Sequence, residues 1–396
     1  MSNIPTISLR DALFEEDKYG TIDALRAQSP VARTPEGGIV FLTHEACAEV
    51  LKCEHFRFTF NLIDTQSSPY LANAIEHELL NKHADEHLRL SRLVKQALRE
   101  RVVDGMRARI DAIISDLLDE METQQTAEFC SAFADPLPAR VLGPMFGVPY
   151  EEAAGLNDWI QIGGRKIDAL QSGVDIQIVE DANRKMHDYL RDLLRDRRKN
   201  PGEDLFSELI RSELDGDRLS EDEVVYLSTE LAAAGVDTTR TQLPLILHAL
   251  LTHPDQMATL RADPSLALRC VDEGMRFAPL TWAIPHAAVH DMSFRGLDFK
   301  EGDLAFVLVP AANRDANVVA NPHAFDIARP RARHFTFGSG MHACPGAQLA
   351  RMEMASALSG LIARFETLEL AQDPEWLPGQ VGRGLGRLNL RLTRAA

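Results

Sequence analysis

Cys344 lies in a run of small and turn-forming residues, Phe335-Thr-Phe-Gly-Ser-Gly-Met-His-Ala-Cys-Pro-Gly-Ala-Gln-Leu-Ala-Arg351. Gly338, Gly340 and Gly346 permit positive φ and close backbone approach around it. The stretch that follows, 347–363, is built of helix formers. The cysteine is therefore expected on a tight loop just ahead of a helix N-terminus, where backbone N–H groups favour an anion. That setting lowers a thiol pKa and stabilises a thiolate. A thiolate held this way serves as a nucleophile or as a metal ligand. A nucleophile calls for a placed histidine, and His342, two residues away, need not face Cys344. The plainer alternative is a glycine-rich turn with an inert cysteine.

Three further groups stand out. Glu273 and Arg276 are spaced i, i+3, which puts both on one helix face. Taken alone, such a pair reads as a surface ion pair of little worth. Ala234-Gly-Val-Asp237-Thr238-Thr239 places a glycine and two threonines, all poor helix formers, inside a helical pattern. A threonine hydroxyl there can bond the carbonyl four residues back and bend the helix. Glu86-His87-Leu-Arg89-Leu-Ser91-Arg92 lies in another helical stretch.

The elements that must position these groups are mostly helical. An apolar stripe at helical spacing marks 104–123, and an amphipathic pattern closing on a basic run marks 175–198. Asn200-Pro-Gly stops the latter. Ser220 and Glu223 form a capping box that opens a helix running to about residue 253, with Pro244 expected to kink it. A helix over 264–277 takes Asp263 as N-cap and Pro264 at its first position. Strand signals are few: 38–42, 388–392, and a hairpin of 287–294 leading into 304–309. The fold class is mainly α with small β-sheets. With no repeat and no low-complexity linker, residues 1–396 read as a single domain.

Composition narrows the function classes. With 42 Lys and Arg against 59 Asp and Glu, the formal charge is −17, which argues against nucleic acid or an anionic membrane as the main partner. No apolar run reaches the ~18 residues of a membrane span, and residues 1–10 lack a secretory pattern. Cysteines at 47, 53, 130, 270 and 344, with no CxxC, form neither a disulfide framework nor a zinc site. A cytoplasmic location is expected.

The pattern Phe337-x-x-Gly340-x-x-x-Cys344-x-Gly346 resembles the haem-binding signature of the cytochrome P-450 family, the haem-thiolate monooxygenases of soluble bacterial type. Glu273-x-x-Arg276, about seventy residues earlier, matches the family's ExxR motif. Leu142-Gly-Pro-Met-Phe-Gly-Val-Pro-Tyr150, Gly202-Glu-Asp-Leu-Phe-Ser-Glu-Leu-Ile and Ala312-Asn-Arg-Asp315 resemble stretches of the family's soluble bacterial members. The resemblance runs from about residue 20 to the C-terminus. It implies the cytochrome P-450 fold, with one haem b per chain between a long distal helix and the helix after the cysteine loop. Cys344 would be the metal ligand, a thiolate whose electron donation favours O–O cleavage. Phe337 and Gly346 would touch the haem, and His87, His286 and His342 its propionates. Ser91 and His286 stand where relatives usually carry Arg. Segment 234–239 resembles the acid-alcohol motif of the distal helix. Gly235 would leave room for O2, Thr238 would hydrogen-bond the activated oxygen, and Asp237 would relay protons, with Thr239 the alternative hydroxyl. A hydroxyl and a carboxylate are suitable groups for delivering two protons. The Glu273–Arg276 pair would bind the segment 321–333 and be structural.

The resemblance also implies a substrate pocket from Leu231, Ala234, Gly235, Thr281, Trp282 and Ile284, together with the loop 58–70 and the turn 382–385. These are mostly apolar, which suits a small apolar organic substrate, hydroxylated, dealkylated or epoxidised. Two electrons would come from NAD(P)H through a reductase and a separate 2Fe–2S ferredoxin or flavodoxin. That donor would be steered by Arg92, Lys95, Arg99, Arg331, Arg333 and Arg351. A monomer is expected. Rival readings are a peroxide-driven oxygenase, a haem protein that senses or carries a ligand, and a protein using Cys344 as a covalent nucleophile.

Overall fold

Apolar spacing sets the helices and their buried faces in the computed structural model of the chain. Residues 4–9, 17–59, 68–98, 104–124, 126–148, 155–156, 158–160, 162–163, 175–214, 216–377 and 384–394 are described. The helices that bear on function are α1 (His44–Val50), α2 (Ala84–Ala97), α3 (Pro136–Met145), α4 (Glu221–Leu251), α5 (Ala267–Phe277) and α6 (Ala347–Arg364). They belong to two compact units, each assembled from separated segments. One takes Met1–Phe60, Leu245–Cys344 and Trp376–Gly384; the other takes Asn61–Pro244, Pro345–Glu375 and Leu385–Ala396. Helix α4 contributes to both, and Pro244 lies inside it without breaking it.

The first unit is built on a five-stranded sheet. Its strands are β1 (Val31–Arg33), β2 (Ile39–Phe41), β3 (Phe56–Phe58), β4 (Ala283–Ala288) and, after a small hairpin of β5 (Met292–Phe294) and β6 (Leu297–Phe299), β7 (Leu304–Leu308). The order is β1-β2-β7-β4-β3. Strand β7 runs parallel to β2, with Phe306 opposite Val40, and antiparallel to β4, with Ala305 opposite His286. Both faces are covered, which is why β2 and β7 read as continuous apolar runs rather than alternating ones. Phe41, Val307 and Phe56 pack on α1 through Cys47 and Val50. Val40, Leu308 and Ala32 pack on Ile22.

The sequence pattern placed 287–294 and 304–309 in one hairpin. The pairing holds at Ala287, which lies opposite Leu304 near the end of β4, but residues 292–299 close on themselves. Arg295 and Gly296 both take positive φ, +51° and +77°, which gives the tight turn that isolates this hairpin.

The second unit is helical. Arg107–Glu122 buries Ile110, Ile114, Leu117, Leu118 and Met121, most of the stripe visible in the sequence. Gly360 of α6 lets that helix approach closely: a Cβ there would meet Ile114 and Leu118 at 3.0 Å. Helix α4 starts with the expected reciprocal cap, Ser220 N–H to Glu223 Oε2 at 2.7 Å and Glu223 N–H to Ser220 Oγ at 3.2 Å. A second, three-stranded sheet joins Phe365–Leu370, Asn389–Arg394 and Thr126–Glu128.

Candidate active site

The cysteine loop is shaped by its glycines. Gly338 and Gly340 take φ of +65° and +68°. A Cβ on Gly340 would stand 2.2 Å from the Leu51 carbonyl oxygen, so any side chain there would drive the loop off the end of α1. The Gly338 N–H donates to the Phe335 carbonyl at 2.8 Å, and the Cys344 N–H to the Phe337 carbonyl at 2.9 Å. Cys344 is exposed, whereas Cys47, Cys130 and Cys270 are buried. Burial pushes the Cys47 thiol up to about 12 and the other two higher still. Gly346 is the N-cap of α6, and a Cβ added to it would meet nothing within 4 Å.

A buried network holds the segment leading into the loop. Arg276 bonds both Glu273 oxygens at 2.8 Å. It also donates to the carbonyls of Pro322 at 2.8 Å and Ala324 at 2.9 Å. Glu273 in turn accepts from the Asp326 N–H at 3.0 Å and from Arg329 at 3.3 Å. The ExxR pair thus grips the segment expected of it. Asn313 extends the network, and the sequence reading passed over it. Its side chain accepts from the Phe335 N–H at 2.8 Å and donates to Thr336 Oγ1 at 3.1 Å. Thr336 then donates to the Met275 carbonyl on α5 at 2.7 Å. A fully buried amide in the apolar run 309–313 was the available signal.

Two of the expected histidines converge. His286 on β4 and His342 in the loop both pack on Phe58, at ring distances of 6.2 and 5.9 Å. Burial holds the His286 imidazole down to about 4; the Ile284 carbonyl opposes this and the nearby His342 adds to it. An anion beside them would reverse the effect. In the helical unit, His87 on α2 is buried and likewise held to about 4, by burial first and then by Lys95 and His83.

On α4 the structure separates the two threonines. Thr238 is exposed and Thr239 is buried. Ala234 shares the Thr238 face one turn earlier, and the Thr238 hydroxyl donates to its carbonyl at 2.6 Å. Leu231 and Asp237 are partly exposed. Gly235 has a packing reason different from the one expected. A Cβ there would stand 3.1 Å from Leu142 Cδ1 of α3, so the missing side chain lets the two helices approach closely.

The pocket expectations divide. Thr281 and Ile284 are partly exposed in the sheet unit. Trp282 is not a pocket wall: it is buried in the core with Ile7, Ile22 and Leu308, 6.2 Å from the Tyr19 ring. Its size and apolar surface serve packing there. Within the expected loop 58–70, residues 60–67 lie outside the described residues, as do 382–383 of the expected turn, Tyr150 and Arg99. Of the basic residues, Arg92, Lys95, Arg331 and Arg333 are exposed and Arg351 partly so, while Arg331 is paired with Asp272 at 3.0 Å.

This donor set fits thiolate-ligated haem b. Among the described residues no group of three or more His, Cys, Asp or Glu side chains could hold a metal ion. Within the sheet unit, the exposed Cys344 suits an iron ligand and the buried imidazole of His286 suits a ring carboxylate.

Comparison with known proteins gives the same direction. The sequence model of the family described as Cytochrome P450 matches residues 169–389. The chain is 34% identical over 324 residues to the polyketide biosynthesis cytochrome P-450 PksS of Bacillus subtilis, covering 81% of this chain and 79% of that protein. It is 34% identical over 392 residues to the cytochrome P-450 monooxygenase PikC of Streptomyces venezuelae, covering 96% and 92%. Among solved structures, P450BioI bound to an acyl carrier protein ligated with hexadec-9Z-enoic acid aligns at a TM-score of 0.88 and 29% identity, over 96% of this chain and 99% of that one. No described helix is long and apolar enough to cross a membrane. A family match over more than half the length, and relatives a third identical over most of theirs, establish that the chain belongs to the cytochrome P-450 family, whose members bind thiolate-ligated haem b and act as monooxygenases.

Proposed function

We propose that Cys344 is the thiolate ligand of the haem in this monooxygenase, and that Asp237 and Thr238 deliver protons on its distal side. The observation that carries this reading is the exposed thiol of Cys344 on a loop that only glycines at 338 and 340 can form. When bound, the haem supplies the oxidising chemistry, inserting one oxygen atom of O2 into substrate. The protein's part is to hold and to protonate. Phe337 and Gly346 would flank the ring, and the N–H groups of the loop would tune the sulfur. His87, His286 and His342 would donate to the propionates, and burial makes each such bond stronger than in water. Thr238 stands on the exposed face of α4, its hydroxyl donating to the Ala234 carbonyl, and the partly exposed Asp237 precedes it in the chain.

Leu231 and Ala234 on α4, and Ile284 with the hydroxyl of Thr281 in the sheet unit, are mostly apolar and at least partly exposed, which favours a small, mostly apolar organic substrate. The named roles of PksS in polyketide biosynthesis and of P450BioI with a fatty acyl chain fit the same class. We assign electron supply to NAD(P)H through a reductase and a 2Fe–2S ferredoxin, with flavodoxin as the alternative carrier. We read residues 1–396 as one domain, because both compact units are woven from alternating segments. The protein is proposed to act as a cytoplasmic monomer.

The test is the optical spectrum of the reduced protein exposed to CO. A strongly red-shifted Soret band, absent in Cys344→Ala, is the expected result. A haem spectrum that keeps that band in Cys344→Ala overturns the ligand assignment. Shifts to high-spin iron in a ligand screen then define the substrate.

A further inference from the structure

Helix α2 begins on a strained residue. Ala84, its first residue, has a φ of +49°, in the left-handed region that a side chain disfavours. His83, the N-cap, is extended, and its side chain makes no cap bond. The first bond of the helix is long, His87 N–H to the His83 carbonyl at 3.5 Å. Strain of this kind persists only where the surroundings hold it. The hold is Glu230 of α4, whose carboxylate oxygens accept from the Leu79 N–H at 2.5 Å and the Leu80 N–H at 2.9 Å. The Lys82 N–H then closes on the Leu79 carbonyl at 3.1 Å, so the chain enters His83 in a fixed direction.

That direction turns His83 inward. Its Nδ1 is buried and has no hydrogen-bond partner among the described residues. Buried polar atoms are almost always partnered, so an orphaned one calls for a ligand. His83 stands close enough to His87 to act on its charge. His83, His87 and Ser91 follow at four-residue spacing, with His87 and Ser91 buried, whereas Ala84, Asp85 and Glu86 are exposed. Glu86 pairs with Lys82 at 2.8 Å. The acids of the first turn therefore leave the inward row to neutral donors. Ser91 is too short to donate at the turn of His87, and His83 is the one other group of the row that can.

We propose that His83 donates from Nδ1 to the haem carboxylate that His87 takes, as the second donor of a His83–His87 pair, and that the left-handed backbone of Ala84 aims it there. The proposal rests on the reading of His87 as a propionate donor. A neutral imidazole has one N–H, so His87 alone gives a carboxylate a single bond and leaves its other lone pairs to be met elsewhere. His83, with its proton on Nδ1, supplies a second bond from the N-terminal side of the same turn. Both rings act as neutral donors, and no proton is transferred. His83 is a haem-binding residue in this assignment, and Ala84 is a positioning residue that acts through it.

The test uses the haem-loaded enzyme and the variants H83F, H83N, A84P and H87F. The readouts are the rate at which ferric haem passes to excess apomyoglobin and the propionate bending band in the resonance Raman spectrum. The red-shifted Soret band of the reduced CO complex checks that each variant is folded and loaded. H83F keeps an aromatic ring and removes the donor. It should release haem roughly tenfold faster, the scale of one hydrogen bond to a charged group, and shift the bending band. H83N, whose amide N–H lies where the Nδ1–H stood, should match wild type in both. A84P fixes φ at about −65° and leaves the imidazole in place, so it should act like H83F. If H83F matches wild type in both readouts while H87F shifts both, His83 is no donor and the reading of His87 stands. If H87F shifts neither, the reading of His87 falls and the pair falls with it. An H83N variant that loses haem as fast as H83F assigns the loss to packing and overturns the donor role. Should H83F fail to load haem, A84P decides, and a wild-type band and transfer rate there overturn the proposal.

Discussion

At the residue scale, burial decides between neighbours that the sequence leaves equivalent. Thr238 and Thr239 are adjacent, yet one is exposed and the other buried. Thr238→Ala should keep the haem spectrum but divert reducing equivalents to hydrogen peroxide, whereas Thr239→Ala should cost stability and leave coupling intact. Peroxide yield per NADH measures the difference, and equal yields in both would remove Thr238 from the proton path. Burial also sets the pH response. Glu353 on α6 is buried, and burial pushes its carboxyl up to about 8 from 4.5. Between those values the unfolded chain releases a proton that the folded chain keeps, so stability falls as pH rises through that window. Glu353→Gln should therefore raise the melting temperature at pH 8 and change it little at pH 4. The sign is opposite for His87 and His286, whose folded imidazoles stay neutral down to about 4 against an ordinary 6.5. Their contribution is complete above 6.5 and is lost as pH falls toward 4. In haem-free protein His286→Asn should flatten the acid side of the stability profile.

At the element scale, the site depends on how short segments are gripped. The cysteine loop is held at one end by Asn313 and at its turn by the end of α1. Gly340→Ala adds a methyl where the Leu51 carbonyl already stands, at a φ of +68° that disfavours a side chain. It should lose haem and destabilise the fold together. Arg276→Ala leaves Glu273 as a buried charge still facing Arg329, and orphans three carbonyls. Breaking a buried pair from one side costs about 3–5 kcal/mol, so chemical denaturation should show a loss of that order. A loss under ~1 kcal/mol would mean that the segment holds without the grip.

At the scale of the whole molecule, a charge of −17 has exposed arginines and lysines standing against it. If Arg92, Lys95, Arg333 and Arg351 guide an acidic donor, ferredoxin reduction should slow steeply as salt rises. Arg92→Glu should then weaken that salt dependence, and a rate indifferent to ionic strength would exclude steering.

Much of this was readable from the chain alone. Glycine spacing around Cys344, the i, i+3 pair at 273 and 276, and the stripe of 107–122 are local consequences of backbone sterics and helical period, so they survive without a fold. Helix α4 and its cap were equally legible, because a capping box is a contact within four residues. What tertiary structure alone decided was long-range. It put Trp282 in a core and the Gly235 flank against Leu142. It paired β4 with β7, and tied Asn313 to the cysteine loop. It also brought Asp135 to Arg240 across 105 residues. Each of these depends on which surface a side chain meets after collapse, and residue type and period do not encode that.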